Sequence, residues 1–267
     1  MPLHNPFFLN DQWRIRPLVA SHFVALLLLA SWLWAPSRVL WDQFDLQLFA
    51  LLNEPVHSAG LWAQTWAIGS MRPVDMGVGV LMLAVMPKAG LVFSGAQVRK
   101  ALYAFLAALI VMLLFRVGFA ELVKLMGWQR PSASLVVEGA ARLTELFPDW
   151  EERWDMKDSA TRSFPGDHAS VLLIWAMFMS FFARNWRLLL VWSMAVIFML
   201  PRLVAGAHWG SDALVGGLFL ALLGLAWSCF TPFAYKTSEW LEYVTQPLLK
   251  GLAALPMLGR LNVISGR

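Results

Sequence analysis

The stretch "PRLVAGAHWGSDALVG", Pro201–Gly216, decides the fold because it joins two apolar runs through a short polar turn. An apolar run of roughly 17 to 25 residues is the length that crosses a bilayer as a helix. Arg202, His208 and Asp212 all lie at the junction between the two runs. Ionisable groups are costly beside a bilayer, so their presence indicates a functional site. The stretch therefore predicts a membrane protein with a polar site where two helices meet water.

The composition of the whole chain also indicates an integral membrane domain. Of the 267 residues, 59% are hydrophobic and only 14% charged, and the mean hydropathy is +0.60. Soluble domains carry about a quarter charged residues. Cys229 is the single cysteine, which excludes a disulfide framework and a thiolate metal site. The Lys and Arg residues are scattered rather than arranged in a basic stripe, which argues against nucleic acid as a partner.

The apolar runs predict an all-α fold with six transmembrane helices and one long external loop. The loop, 121–167, has no apolar span, and a connection of that length is usually functional. The segment "FDLQLFALLNEPVHSAGLWAQTWAIGS", 44–70, is interrupted by Pro55 and Gly60 and predicts a helix lying in the membrane interface. Together these elements form a catalytic domain, 1–235, followed by an amphipathic cytoplasmic tail, 236–267. The predicted spans are about 18–35, 74–90, 100–120, 168–184, 187–206 and 211–231.

The distribution of basic residues predicts that both termini are cytoplasmic. With the N-terminus inside, the cytoplasmic segments hold 11 of the 21 Lys and Arg residues. Three of the other ten, Lys124, Arg130 and Arg202, are candidate residues of a functional site. This orientation places the long loop and the turn between spans five and six on the external face. The cytoplasmic segments are 1–17, 87–100, 184–187 and 232–267.

In Pro201–Gly216, His208 and Asp212 are four residues apart and so are predicted to share one face of a helix. Asp212 can then accept a hydrogen bond from one imidazole nitrogen, leaving the other as a nucleophile or proton acceptor. Gly206 allows the chain to turn, and the planar guanidinium of Arg202 suits paired phosphate oxygens. The alternative is a structural His–Asp pair beside an interfacial arginine.

A second stretch, "SFPGDHAS", Ser163–Ser170, predicts a turn that ends at the start of a helix. Pro165 and Gly166 shape the turn, since glycine can adopt positive φ. Asp167 and His168 then lie at the helix start, where free N–H groups attract anions. His168 can donate a proton to a departing oxygen. The alternative is an Asp167 N-cap followed by an interfacial histidine.

A third stretch, "KLMGWQRP", Lys124–Pro131, adds two cations, Lys124 and Arg130, at the end of span three. They either join Arg202 as phosphate clamps or anchor the helix end among lipid headgroups. Arg116 lies two turns deeper, and we expect it to pair with Glu121 or Asp75 or to pack against a carbonyl group.

The three stretches together resemble the signature of the type 2 phosphatidic acid phosphatase (PAP2) superfamily, K-x6-RP, then PSGH, then SR-x5-H-x3-D. The third part keeps its spacing, with Pro201 in place of serine. The first part is one residue short, and the second reads P-G-D-H, with Gly166 in the serine position. From about residue 20 to 235, and above all in "SFPGDH" and R-x5-H-W-x2-D, the chain is similar to the lipid A 1-diphosphate synthase branch.

That resemblance implies an enzyme of the bacterial inner membrane whose active site faces the periplasm. His208 would attack the terminal phosphorus of undecaprenyl diphosphate, His168 would protonate the leaving undecaprenyl phosphate, and the phosphohistidine would pass its phosphoryl group to lipid A. The resemblance implies no cofactor and no metal. By the same resemblance, Asp212 orients His208, Asp167 supports His168, and the phosphate-binding residues are Arg202, Arg130, Lys124, Gly166 and Ser163.

Three other functions stay open at this point. A hydrolase with the same site would release phosphate because water takes the phosphoryl group. A metal site could use His168, His208, Asp212 and Asp167, although neighbouring cations favour an anion over a metal. A lipid transporter is a further alternative, but transport sites lie near the midplane on broken helices, whereas these residues cluster at one end of their spans.

Overall fold

The computed structural model describes residues 10–88 and 91–265, and in those residues the fold is helical without a β-strand. One isolated antiparallel bridge joins Met71 and Met156. The α-helices are α1 (Ile15–Leu33), α2 (Ala35–Asn53), α3 (Leu61–Ser70), α4 (Arg72–Val85), α5 (Gly95–Leu125), α6 (Ala133–Val136), α7 (Leu143–Leu146), α8 (Pro148–Trp154), α9 (Asp167–Ser180), α10 (Trp186–Val204), α11 (Leu218–Cys229), α12 (Phe233–Ala253) and α13 (Asn262–Ser265). A π-helical turn, Asp212–Gly217, leads into α11, and 3-10 turns occupy Glu54–Ser58 and Leu258–Arg260.

Four of the described helical segments are long and apolar enough to cross a membrane. They are α1, α5, α10 and the continuous segment Asp212–Cys229. The predicted all-α fold is therefore confirmed, with four candidate membrane spans among the described residues. α9 is apolar but has only 14 residues, as has α4. The predicted span 74–90 differs from α4, which ends at Val85, and its residues 89 and 90 lie outside the described residues.

The segment Asp212–Cys229 forms the centre of the bundle, since 78% of it is buried, against 22% to 39% for the other three. It packs against α1, α5 and α9. Close approach to α5 depends on Gly224, because a Cβ there would lie 2.6 Å from the Cβ of Met112. Small residues serve this purpose in membrane helices, whose packing is driven by close contact rather than by water exclusion.

The segment predicted to lie in the interface forms two helices joined by a short turn. α2 begins at a break from α1 at Trp34, and Pro36 lies in its first turn, where its missing N–H costs no hydrogen bond. Pro55 falls in the 3-10 turn after α2, and Gly60 precedes α3. The two sequence interruptions therefore mark the end of one helix and the start of the next.

The long loop covers one end of the bundle and contains the short helices α6, α7 and α8. Its predicted start is too early, because α5 continues to Leu125. Asn53 fixes the loop to the bundle: its amide donates to the carbonyls of Ala141 and Val204, both at 3.0 Å, and accepts from the Ala141 N–H at 2.9 Å. The Ser134 N–H donates to the Gly206 carbonyl at 3.1 Å. The loop is thus held over the turn that follows α10.

At the opposite end, α12 and α13 pack along the first turns of α5. Lys100 lies 2.7 Å from Glu239, and the hydroxyls of Tyr103 and Thr245 are 2.6 Å apart. Arg99 donates to the carbonyls of Val263 and Ile264. The C-terminal segment therefore covers the end of α5 that lies farthest from the loop.

Candidate active site

The second and third sequence stretches meet around one small cavity. Its lining includes Gly166 and His168 from the start of α9, Arg202 from the end of α10, and His208 from the turn beyond it. Met199, Leu203, Ala169 and Ala213 complete the lining. Two histidines and one arginine thus share a cavity whose remaining walls are apolar.

His208 reaches this position because Gly206 turns the chain. Gly206 has φ of +71°, which confirms the predicted turn, and a Cβ there would lie 2.7 Å from the ring of Phe49. The Nδ1–H of His208 donates to the Ser163 carbonyl at 2.8 Å, and a carboxylate oxygen of Asp212 lies 3.5 Å from the same nitrogen. The nearer acceptor is therefore a backbone carbonyl rather than the predicted carboxylate. Either acceptor keeps the proton on Nδ1 and leaves the lone pair on Nε2.

Asp212 is fully buried and held from two directions. One carboxylate oxygen accepts the Trp209 N–H at 2.8 Å. The other accepts from Nη2 and Nε of Arg130, at 2.7 and 3.1 Å. Because both oxygens are fixed, the carboxylate cannot rotate away from His208 without breaking a charged hydrogen bond.

Arg130 points to buried carboxylates and is not among the residues that line the cavity. Its Nη1 donates to Asp45 at 2.8 Å, and its Nη2 donates to the Ser211 hydroxyl at 2.6 Å. The guanidinium carbon lies 5.5 Å from the ring centre of Trp32 and 5.3 Å from that of Trp209. In this structure the guanidinium is therefore bonded to two buried carboxylates and a hydroxyl, and its direct contact with a phosphate stays a prediction.

Asp45 is the residue that sequence reasoning missed. It is 2% exposed, and burial raises its pKa above the usual value although Arg130 and Ser211 oppose the shift. A signal was present in the sequence: Asp45 and Asn53 fall at four-residue steps on either side of Phe49, and all three are buried on α2. Polar residues on the apolar face of a helix need buried partners.

Arg202 lies at the cavity with its guanidinium held by groups from three segments. It forms an ion pair with Asp75 of α4, and Nη1 donates to the carbonyl of Lys157 at 2.8 Å and to that of Ser70 at 3.4 Å. The pairing of Asp75 with Arg202 excludes the Asp75 partner that the sequence suggested for Arg116. Arg202 is thus oriented before any substrate binds.

Gly166 is required by packing rather than by backbone angle. Its φ is −73°, so the expected positive φ is wrong. A Cβ at this position would lie 2.8 Å from the Asp212 carbonyl oxygen, and the Gly166 N–H donates to that oxygen at 3.1 Å. The N–H of Gly166 is therefore engaged. The Ser170 N–H donates to the Gly166 carbonyl at 3.0 Å, which is the first backbone hydrogen bond of α9. The N–H groups of Asp167, His168 and Ala169 precede it and so have no acceptor within the helix.

Asp167 is the first residue of α9 and pairs with Arg116, which lies in α5. Nε of Arg116 donates to one carboxylate oxygen at 2.6 Å, and Nη2 donates to the other. No side-chain cap forms at the start of α9, so the N-cap alternative for Asp167 is wrong, as is the expected pairing of Arg116 with Glu121. His168 donates from Nε2 to the Phe198 carbonyl at 3.0 Å, which leaves Nδ1 to exchange a proton.

The other two predicted phosphate-binding residues do not line the cavity. Lys124 is exposed, and its ammonium lies 3.9 Å from Glu121. Ser163 is fully buried, and its N–H and hydroxyl donate to the Arg130 carbonyl at 2.8 and 3.2 Å. Because the Ser163 carbonyl also accepts from His208, this residue connects the first and third stretches.

Both carboxylates considered for a metal site are paired with arginines. Asp167 is paired with Arg116, and Asp212 with Arg130. Among residues 10–88 and 91–265, no three His, Cys, Asp or Glu side chains are grouped so that they could hold a metal ion.

Two histidines and a buried arginine at one end of a helical membrane bundle suit an enzyme that acts on the phosphate groups of lipids. Residues 100–237 match the PAP2 superfamily, and the chain belongs to that superfamily. The chain is also 28% identical over 221 residues to the lipid A 1-diphosphate synthase of Escherichia coli (strain K12), an alignment that covers 81% of this chain and 88% of the relative. No solved structure matches the chain. The protein is therefore a lipid phosphotransferase or phosphatase.

Proposed function

We propose that the protein transfers a phosphoryl group from undecaprenyl diphosphate to a phosphate of lipid A, forming lipid A diphosphate and undecaprenyl phosphate. The observation that carries the proposal is the shared cavity of His168, Arg202 and His208. The name of the Escherichia coli relative supports lipid A as the acceptor.

In the first step, the lone pair on Nε2 of His208 attacks the terminal phosphorus of the donor. The bond from that phosphorus to the bridging oxygen breaks, its electron pair stays on undecaprenyl phosphate, and His168 supplies a proton to the leaving oxygen. The Ser163 carbonyl and Asp212 stabilise the positive charge that forms on the imidazole. The product is undecaprenyl phosphate and a phosphohistidine at His208.

In the second step, an oxygen of the lipid A phosphate attacks the phosphorus of the phosphohistidine. The N–P bond breaks and its electron pair returns to Nε2, which restores His208, while the proton of the attacking phosphate oxygen passes to His168 and restores its charge. Water attacking the same phosphorus would give a hydrolase, so the acceptor decides between transferase and phosphatase.

Charge neutralisation is the other requirement of phosphoryl transfer. Arg202 is the principal phosphate-binding cation in this proposal, because it lines the cavity beside both histidines. The free N–H groups at the start of α9 add a positive dipole end. Gly166 and Ser163 act by holding this geometry, and Lys124, exposed in the last turn of α5, supplies a further cation.

We also propose a six-span topology in which α4 and α9 cross the membrane with the four longer segments. Both termini are then cytoplasmic, α2 and α3 lie at the outer interface, and the site faces the periplasm from the bacterial inner membrane. Residues 1–235 form the catalytic domain and 236–267 the cytoplasmic tail. The site residues gather at the end of the bundle covered by the loop, and the distribution of Lys and Arg residues supports an external position for that end.

The experiment is a two-tube assay with undecaprenyl diphosphate labelled at its terminal phosphate. Purified protein is incubated with and without lipid A, and a His208→Ala variant is run in parallel. The proposal expects label on lipid A only when wild-type protein and lipid A are both present. Free phosphate released at the same rate in both tubes would instead make the protein a phosphatase.

A further inference from the structure

A second and much larger cavity lies at the surface of the bundle, apart from the catalytic residues. It is an open groove of about 1020 Å³, which is at the upper limit of the roughly 300 to 1,000 Å³ of small-molecule sites. The described residues that line it do not include any that line the catalytic cavity. We call it the α5–α12 groove, and its lining includes Leu114 and Leu122 of α5, Phe219 and Leu223 of α11, and Phe233 and Lys236 of α12.

The part of the groove between α5 and α11 is apolar. Phe219 and Leu223 are 6% and 7% exposed and form its wall on α11. Phe119 of α5 also lines the groove, with its ring centre 4.6 Å from that of Phe219 and 6.0 Å from that of Phe164. Because Phe164 precedes the catalytic turn, these rings lie between the groove and the active site. This part of the groove suits a hydrocarbon chain.

The other end of the groove, at the start of α12, is polar and positively charged. Thr231, Lys236 and Thr237 line it there. Among the described lining residues Lys236 is the one charged side chain, and the ion pairs between α12 and α5 use carboxylates other than a partner of Lys236. Trp13 and Trp240 line the same end and are 56% and 61% exposed. Tryptophan collects where a bilayer meets water, so this end complements an anionic lipid head group.

The charged end of the groove is too far from the catalytic residues for one phosphate to contact both. The segment Asp212–Cys229 starts beside His208 and has 18 residues, so it is about 27 Å long. Lys236 comes after its far end, on the helix that packs along the first turns of α5. The hydrocarbon core of a bilayer is roughly 30 Å thick. A lipid with its phosphate at Lys236 therefore belongs to the leaflet opposite the active site.

We propose that the α5–α12 groove binds one anionic glycerophospholipid from that opposite leaflet. Its phosphate pairs with Lys236, and an acyl chain runs between α5 and α11 as far as Phe119. The orientation proposed above makes this the cytoplasmic leaflet, whose anionic lipids are attracted to Lys and Arg side chains near the surface. Burial of the chain supplies the apolar part of the affinity. No step of the proposed reaction enters this inference.

The test titrates the purified full chain, stripped of lipid in detergent, with phosphatidylglycerol or with phosphatidylcholine carrying the same acyl chains. Native mass spectrometry measures the Kd of the first lipid adduct. Wild-type protein should bind one phosphatidylglycerol about fivefold more tightly than phosphatidylcholine, because one cation beside an anionic head group contributes about that factor. Equal affinity for the two lipids, or a series of adducts without a saturating first one, would overturn the inference.

Lys236→Gln tests the head-group contact, and Lys250→Gln is its matched control. Lys250 is an exposed lysine in the last turn of the same helix and is not among the groove residues. Lys236→Gln should weaken phosphatidylglycerol about fivefold and leave the Kd of phosphatidylcholine within about twofold. Lys250→Gln should change neither. The same loss in both variants would show a general attraction to the basic surface and would contradict a site at Lys236.

Leu114→Trp tests the chain, with Val117→Trp as its control on the same helix. Leu114 and Val117 are 69% and 63% exposed, so neither change disturbs the core, but only Leu114 is among the groove residues. Displacing about two methylene groups from the groove should weaken both lipids roughly tenfold. If Leu114→Trp does not fold, Leu122→Trp at the other end of the apolar part replaces it. Wild-type affinity in the groove variant, or an equal loss in Val117→Trp, would refute the assignment of the chain.

Undecaprenyl phosphate tests the other lipid that could fill the groove. The inference expects it to bind there less tightly than phosphatidylglycerol, because the donor's phosphates belong at the catalytic end. Tighter binding of undecaprenyl phosphate, lost in Leu114→Trp, would assign the groove to the polyprenyl chain and overturn the inference. These measurements need no turnover, so they stand even if the wild-type protein leaves undecaprenyl diphosphate intact and the proposed function fails.

Discussion

Gly166→Ala should slow catalysis by pushing the start of α9 away from the turn that carries Asp212. The added Cβ would lie 2.8 Å from the Asp212 carbonyl oxygen and 3.0 Å from its carbon. Ordinary van der Waals contact begins at 3.4 Å, so the two backbones must separate by 3.4 − 2.8 = 0.6 Å. Neither side can relieve the contact by rotating a side chain, because the opposing atoms are backbone. The displacement also lengthens the 3.1 Å hydrogen bond from Gly166 to the same oxygen.

The magnitude follows from where the displacement goes. His168 is two residues beyond Gly166, and a misplacement of about 1 Å at a reacting group costs on the order of 10²-fold. We therefore expect kcat for phosphoryl transfer to fall about 10- to 50-fold. Overpacking of this kind costs about 1 to 3 kcal/mol, so the thermal unfolding temperature in detergent should also fall.

The matched control is Gly118→Ala in α5, because a Cβ there meets no atom within 4 Å. Its kcat and unfolding temperature should equal those of wild type. Transfer by Gly166→Ala at the wild-type rate, with Gly118→Ala also normal, would refute the claim that the contact between Gly166 and Asp212 sets the geometry of the site.

Three further substitutions test the cations of the site and their partners. Arg202→Lys should lower kcat about 10²- to 10³-fold, because an ammonium cannot give the paired hydrogen bonds of a guanidinium to phosphate. Steady-state kinetics measures this change. A loss below tenfold would count against Arg202 as the principal phosphate-binding cation. Asp167→Asn should slow transfer about tenfold while the protein stays folded, because it weakens the ion pair with Arg116 that holds the start of α9. Arg116→Gln should give a similar kcat. A normal rate in both variants would show that the ion pair has no part in positioning His168.

The sequence was informative where function depends on spacing along the chain. His208 and Asp212 are four residues apart and come within 3.5 Å of each other, although His208 lies in the turn before the helix rather than on the predicted helix face. Gly206 marked a turn that needs positive φ, and the structure has it. The apolar runs indicated an all-α membrane fold because a bilayer leaves backbone groups few other ways to be satisfied.

What the sequence did not reveal depends on contacts between distant segments and on backbone atoms. Asp45 reaches Ser211 across 166 residues, and Arg116 reaches Asp167 across 51. The Ser163 carbonyl that accepts from His208 could not be read from a side-chain pattern. The sequence predicted that Gly166 shapes a turn, whereas its packing against the Asp212 backbone explains why a side chain does not fit there.

The most direct test of the whole account is to trap the phosphoryl group on the protein. Purified protein is mixed with undecaprenyl diphosphate labelled at the terminal phosphate, without acceptor, and the modified residue is located by mass spectrometry after quenching in base. The account predicts label on His208 that is stable in base, lost in acid, and transferred to lipid A when lipid A is added. Rapid formation of labelled lipid A by a chain that never carries label at His208, or by His208→Ala, would contradict it.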